Sequence, residues 1–156
     1  MKSTGFTLIE LVVTVLIVAI LATGAVPIVQ MTMQRNKEME LRQALRQIRE
    51  AIDAYKKSVD DGKVKKMIDQ SGYPPNLEVL EHGVINQTDP KSRSIKFIRR
   101  IPRDPMNSNA DLKPVETWGK RSYQSDAASP TEGVDVYDVY SLSAKKAING
   151  TLYGSW

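Results

Sequence analysis

The sequence predicts an α+β fold in which one long N-terminal helix packs on a small antiparallel sheet of about three strands. Two patterns predict this fold. Apolar residues run almost without interruption over 6–29 and then recur every three or four residues over 41–59, which is typical of helices. Beyond residue 83, short apolar segments alternate with turns rich in Pro, Asp, Ser and Gly, which is typical of strands.

The first half of the predicted helix, residues 6–29, is suited to crossing a membrane. At about 1.5 Å per residue it reaches about 36 Å, which exceeds the hydrocarbon core of a bilayer. Its only charged residue is Glu10. Because an acid inside a bilayer costs about 3 kcal/mol, Glu10 requires a partner or a function. A secretory signal peptide, cleaved within 22–25, is the alternative interpretation of this segment.

The second half of the helix is amphipathic and ends at the Asp-Asp-Gly sequence of 60–62. Between the halves lies Pro27, which lacks a main-chain donor and clashes with the preceding turn, so we expect a kink or a melted segment there. A simple kink where the helix leaves the membrane is the plainer explanation of this proline. The positions that should face the sheet are Leu41, Ala44, Leu45, Ile48, Ala51, Ile52, Tyr55 and Val59.

Shorter elements are predicted after the long helix. Residues 64–70 favour a weak helical turn, and Asn76 caps a short helix that ends at Gly83. Strands are predicted over 95–101, 120–125 and 134–142, with connections short enough for an antiparallel sheet. In the closing turn, Tyr153 and Trp156 should pack on this sheet.

Asp138 is the one charged residue on the predicted apolar face of the third strand. Alternation over 134–142 places it on the apolar face, with Asp135 on the opposite face. Three explanations remain open for Asp138: a buried hydrogen-bond acceptor, a residue at a β-bulge, or a metal ligand. The other residues of the predicted apolar face are Val134, Val136, Tyr140 and Leu142.

Composition restricts the classes of function. The 156 residues include no cysteine and one histidine, and they contain no glycine-rich phosphate loop, so we expect no enzyme activity. The formal net charge of +4 gives no strong electrostatic attraction to nucleic acid. A basic cluster on the first predicted strand is interpreted as a solvated strand edge, with DNA binding as the alternative. Its members are Lys96, Arg99, Arg100 and Arg103.

Residues 5–11, Gly-Phe-Thr-Leu-Ile-Glu-Leu, resemble the class III signal of type IV pilins and type II secretion pseudopilins. The resemblance implies a pilin-like fold, cleavage between Gly5 and Phe6 by a prepilin peptidase, and methylation of the new N-terminal Phe6. Residues 1–5 would then be the leader peptide, and 6–29 would remain as a transmembrane and assembly helix. In this family a proline near the position of Pro27 loosens the helix, so that subunits pack in the filament.

The resemblance implies a role for Glu10 in assembly. In a stack of parallel helices, Glu10 of one subunit can neutralise the Phe6 amine of its neighbour, and leaving either charge alone in a low-dielectric setting is costly. The alternative is that Glu10 only stabilises the first helical turn through the helix dipole.

The C-terminal half is similar to the G-type major pseudopilins of type II secretion. Membership implies a homo-oligomeric filament in the inner membrane, with residues 30–156 as the periplasmic domain. Minor pseudopilins, an inner-membrane platform protein and the prepilin peptidase would be its partners, and the pseudopilus would support export of folded proteins through a secretin. The alternative is a type IV pilus or competence pilin that acts in adhesion or DNA uptake. The segments that carry the similarity are 73–75, 101–105, 118–119 and 136–141.

The sequence departs from these pseudopilins where they commonly hold calcium, in the loop after the last strand. Residues 143–156 contain no acid, and Lys145 and Lys146 are basic. Calcium takes six to eight oxygen ligands, usually with carboxylates among them. We therefore expect no metal and no cofactor.

Overall fold

The computed structural model describes residues 5–66 and 70–156, and leaves aside the side chains of 23–26. Most of the predicted leader, Met1–Thr4, and residues 67–69 of the predicted turn over 64–70 lie outside the described residues. Two compact units are present. One ends at Asn36, and the other covers Lys37–Trp156.

The first helix, α1, covers Leu8–Asp60, which confirms a single long helix. It begins after Thr7, whose hydroxyl accepts the Glu10 N–H at 3.4 Å. It ends at Asp60, and the chain turns away at Gly62, where a φ of 72° favours glycine and the Lys63 N–H donates to the Ser58 carbonyl at 2.9 Å. The backbone is helical through Gly24 and Pro27, so no melted segment is present there. Proline removes only one main-chain hydrogen bond, and the turns on either side keep theirs.

The amphipathic part of α1 contributes one face to the core of the second unit. All eight predicted positions are buried, which confirms the periodicity argument. They pack with the buried residues of the loops and strands that follow, which are Val64, Leu77, Leu80, Ile101, Trp118, Val136, Val139, Ala147 and Tyr153.

Within the residues that the structure describes, four short strands form two antiparallel pairs rather than one three-stranded sheet. After the short helix α2, Glu78–His82, strand β1 (Val84–Ile85) pairs with β2 (Ser94–Ile95). Strand β3 (Trp118–Arg121) pairs with β4 (Asp138–Ser141), with Trp118 opposite Ser141 and Arg121 opposite Asp138. Single 3₁₀ turns lie at Pro114–Thr117 and Tyr153–Ser155.

The strands are shorter than predicted because backbone donors next to them bond to carbonyls outside the sheets, in α2 and in a loop. Over 96–101, the N–H groups of Phe97 and Ile98 both donate to the Leu80 carbonyl, at 3.0 and 3.2 Å. Over 134–137, the Val136 N–H donates to the Pro74 carbonyl at 2.8 Å. These bonds satisfy the backbone N–H groups that strand pairing would otherwise satisfy. The apolar residues at these positions are therefore not part of a strand.

The face predicted for the third strand is buried only at Val136 and is wrong for the part of the chain that forms β4. Val134 is 81% exposed and Leu142 is 55% exposed, whereas Val139 and Ser141 are buried. Alternation requires a continuous strand, and the chain becomes one only at Asp138. Asp138 therefore lies on the face opposite to the one predicted.

Candidate functional site

The predicted processing site lies in an exposed, non-helical segment before α1. Gly5 and Phe6 have no regular structure, and Phe6 is 80% exposed. No atom lies within 4 Å of the point that a Cβ on Gly5 would occupy. The fold of the described chain therefore sets no requirement for glycine at this position, and an enzyme could reach the Gly5–Phe6 bond.

Glu10 lies in the first turn of α1 and is exposed. Within residues 5–66 and 70–156, its carboxylate makes no ion pair. Its position fits both interpretations, the helix dipole and a partner on another subunit.

The first half of α1 has the composition of a membrane span. An 18-residue window reaches a mean hydropathy of 2.7, and none of that window is buried. Pro27 lies within this helix and is exposed. A secretory signal peptide can have the same length and composition as this apolar segment. The residues that precede the segment must therefore distinguish a cleaved signal peptide from a retained membrane span.

A buried acid on α1 holds the C-terminal segment. The Glu38 Oε1 atom accepts the Ile148 N–H at 2.8 Å and the Tyr153 hydroxyl at 2.9 Å. The sequence analysis overlooked Glu38. Its signal was present, because Glu38 lies one helical turn before Leu41 on the apolar face of α1, where a charge needs a buried partner.

A second α1 side chain, Arg49, joins β4 to the end of the chain. Its Nε donates to Asp138 Oδ1 at 2.7 Å, and its Nη2 donates to the carbonyls of Val139 and Trp156 at 3.2 and 2.6 Å. Arg121 Nη2 contacts Asp138 Oδ2 at 3.3 Å. Asp138 is thus a half-buried hydrogen-bond acceptor between two guanidinium groups, which is the first of the three explanations given for it.

Aromatic contacts complete the docking of the tail. Tyr153 is buried and lies edge-on to Trp156, with ring centroids 5.2 Å apart. The Arg42 guanidinium lies 4.4 Å from the centre of the Trp156 ring. Tyr153 and Trp156 were predicted to pack on the sheet. Tyr153 is buried in the core and Trp156 packs against it, but the side-chain partners of the two rings are Glu38 and Arg42 of α1.

Asp135 connects two loops. It is 6% exposed, and its carboxylate accepts the Ser122 hydroxyl at 2.7 Å, the Tyr123 N–H at 2.9 Å and the Ser71 hydroxyl. Burial by itself raises the pKa of the Asp135 carboxyl, but the hydrogen bonds from Ser71, Tyr123 and Ser122 outweigh it and hold the pKa below its usual value.

Replacing Asp135 with Asn is expected to lower the free energy of unfolding by about 2 kcal/mol, because one acceptor becomes a donor facing other donors. Since the folded pKa lies below the unfolded value of about 3.9, the wild-type stabilisation is complete above about pH 4 and is lost as the pH falls through the folded value. Denaturant unfolding at several pH values should therefore show a weaker acid dependence for the variant. Asp126→Asn, in the same loop but exposed, is the control, and an equal loss in both variants would contradict this role.

The basic cluster is a loop surface, not the strand edge that was predicted. Lys96, Arg99 and Arg100 are exposed beyond the end of β2. Arg103 donates to the Leu112 carbonyl at 2.7 Å. Phe97, the one aromatic residue within the cluster, is half-buried and lies edge-on to Tyr55 at 5.3 Å.

Known proteins resemble the chain in two ways. Residues 1–26 match the family described as the prokaryotic N-terminal methylation motif. The type II secretion system core protein G of Vibrio cholerae serotype O1 is 31% identical over 111 residues, which are 69% of this chain and 68% of that protein. No solved structure matches the chain.

Proposed function

The chain belongs to the family of the type II secretion system core protein G, and we propose that it polymerises into a periplasmic pseudopilus that supports export of folded proteins through a secretin. As a member of that family it is a pseudopilin, a structural subunit that assembles into a filament with other proteins of the secretion system. The observation that carries this conclusion is the identity along 111 residues, which extends well beyond the N-terminal motif.

Processing and assembly are assigned to four residues. A prepilin peptidase cuts between Gly5 and Phe6 and methylates Phe6, Glu10 pairs with the amine of a neighbouring Phe6, and Pro27 adjusts the packing of the helix in the filament. The exposed, non-helical position of the Gly5–Phe6 bond supports the first assignment. The unpaired Glu10 carboxylate within the described chain supports the second.

The apolar first half of α1 anchors the subunit in the inner membrane before assembly. We place the second unit in the periplasm, where it would meet the minor pseudopilins, while the platform protein and the peptidase act at the membrane. No catalytic role and no nucleic-acid partner are proposed, because a filament subunit requires neither.

Complementation tests this function. A bacterial strain that lacks core protein G should again release a folded exoprotein when this chain is expressed in it. The chain is expressed together with the other proteins of the secretion system to which it belongs. Restored DNA uptake or twitching without restored secretion would instead favour the pilus or competence alternative.

Calcium independence is the second part of the proposal. The family implies a calcium ion behind the last strand, but residues 142–156 contain no Asp or Glu. The acids near this region are already occupied. Glu38 accepts two hydrogen bonds, Asp138 pairs with two arginines, and Asp104 accepts the Ser141 hydroxyl at 2.6 Å. Among the residues that the structure describes, no group of three or more His, Cys, Asp and Glu could hold a metal ion. These residues do not fit calcium, and we propose that α1 side chains hold the tail instead.

Thermal unfolding of the fragment from Arg35 onward should give the same midpoint with excess calcium and with a chelator. A ligand that binds only the native state would stabilise it by about 2.7 kcal/mol at a hundredfold excess over the dissociation constant. Glu38→Leu should lower the free energy of unfolding by about 2 kcal/mol, with no rescue by calcium, because the Ile148 N–H and the Tyr153 hydroxyl lose their acceptor. An upward shift of several degrees with calcium, abolished by Asp138→Ala, would contradict the proposal.

A further inference from the structure

A groove with a volume of about 610 Å³ lies between α1 and the C-terminal segment, wholly within the second compact unit. The C-terminal segment contributes the half-buried Trp156 ring to it. The helix contributes a row of charged side chains, which helical spacing keeps on one face of α1. In chain order they are Arg42, Arg46, Arg49, Glu50 and Asp53.

The first end of the groove is basic, and its two arginines can bind an anion. Arg46 is exposed and makes no hydrogen bond or ion pair within residues 5–66 and 70–156. The Arg42 guanidinium lies 4.4 Å from the centre of the Trp156 ring, and its N–H groups meet no acceptor in the described chain. Two like charges one helical turn apart repel each other, so an anion that contacts both is favoured.

Two further charges near this end are already balanced within the fold. Arg49 donates to Asp138 and to the main-chain carbonyls of Val139 and Trp156. Glu38, one turn before Arg42, is buried beside the C-terminal segment, where it accepts two hydrogen bonds, and it does not line the groove. The charge that the groove presents to a ligand at this end therefore comes from Arg42 and Arg46.

The other end of the groove is acidic. Glu50 and Asp53 are exposed, and neither forms an ion pair in the part of the chain that the structure describes. Arg46 precedes Glu50 by one turn, which is the less favourable order for an ion pair along a helix. Charges of both signs are thus available to a ligand, and they are separated along the groove.

The separation matches an extended peptide. Arg46 and Asp53 are seven residues apart, so the helix rises by about 10 Å between them. An extended chain covers about 3.3 Å per residue, so about three residues span the same distance.

We propose that this groove binds an extended peptide segment of another protein, with an acidic side chain on Arg42 and Arg46 and a basic side chain, about three residues further along, on Glu50 and Asp53. Guanidinium groups suit the acidic side chain because each can donate two parallel hydrogen bonds to a carboxylate. The Trp156 ring provides apolar surface for the residues between the two charges. The site goes beyond the proposed function, because it lies within one subunit and requires no filament.

The test is a peptide titration of the full chain, labelled with ¹⁵N at tryptophan, in zwitterionic detergent micelles. Its two indole groups serve as probe and reference. Trp156 lines the groove, whereas Trp118 is buried and its Nε1 donates to the Pro102 carbonyl at 2.8 Å. The probe is the capped peptide Ser-Asp-Ala-Ala-Lys-Ser. We expect it to shift the Trp156 indole signal in NMR spectra, to leave the Trp118 signal unchanged, and to bind more weakly at high salt.

The variants examine each end of the groove. Arg46→Gln and Asp53→Asn should each weaken the binding about fivefold, which corresponds to one exposed ion pair. The peptide with Asn in place of Asp should lose a similar factor. Arg99→Gln is the matched control, because Arg99 is an exposed arginine outside the groove, and it should leave the affinity unchanged. An unchanged Trp118 signal verifies that each variant keeps its core.

Three results would overturn the inference. The first is equal affinity for the Asp and Asn peptides, and the second is an equal loss from Arg46→Gln and Arg99→Gln. The third is a Trp156 shift that depends on the concentration of the chain itself and not on peptide, which would assign the groove to a second copy of the chain.

Discussion

Replacing Glu10 with Leu is expected to abolish filament assembly and secretion while leaving membrane insertion and cleavage intact. In the proposed filament the Phe6 amine would lie among apolar helices, where an uncompensated charge costs several kcal/mol, about 3–5 for a pair broken from one side. Because every subunit repeats the contact, the penalty recurs along the whole filament. The monomer is affected less, since an exposed Glu10 makes no ion pair within the described residues.

The measurement combines filament yield with secretion in the complementation strain. Glu10→Asp keeps the charge and should retain part of the function. Glu40→Gln is the matched control, because Glu40 is an exposed acid of the same helix outside the apolar segment. Normal filaments from Glu10→Leu would remove the pairing role and leave only the helix-dipole interpretation.

Replacing Gly5 with a bulky residue such as Leu is expected to leave the precursor uncut. The fold offers no reason for this effect, since open space surrounds the Gly5 Cβ position. The defect would therefore arise in recognition by the peptidase. An uncut chain has no Phe6 amine, so it should also fail to assemble. Immunoblots should show accumulated precursor in the membrane fraction.

Gly5→Ala is the graded control and should be partly processed. Gly5→Leu and Glu10→Leu would then share a secretion defect. They would differ in processing, because the Gly5→Leu chain stays uncut and the Glu10→Leu chain is cut. Normal cleavage of Gly5→Leu would show that the peptidase does not discriminate by residue size at this position.

The helical part of the fold could be predicted from the sequence because its signal is long and periodic. Eight positions at helical spacing in 41–59 were predicted to face the core, and all eight are buried. The strands gave a weaker signal, since each has only two to four residues. Carbonyls outside the sheets, such as that of Leu80 in α2, satisfy backbone donors that a longer strand would have paired.

Side-chain contacts between distant residues were beyond sequence reasoning. Arg49 and Asp138 are 89 positions apart, and nothing local to either residue indicates the other. Asp138 was placed on the wrong face because one irregular stretch, 134–137, changes the parity of the alternation. The role of Glu38 could have been predicted from the sequence, because an acid on the apolar face of a helix requires a buried hydrogen-bond partner.

Intact-mass and N-terminal peptide measurements on the protein from its native host test the central claim most directly. The claim is that this chain is a pseudopilin that enters its filament after cleavage at Gly5. We predict a mature chain that begins at Phe6 and carries one methyl group on its amine. A chain cleaved within 22–25, or one that retains Met1 in assembled filaments, would contradict the account.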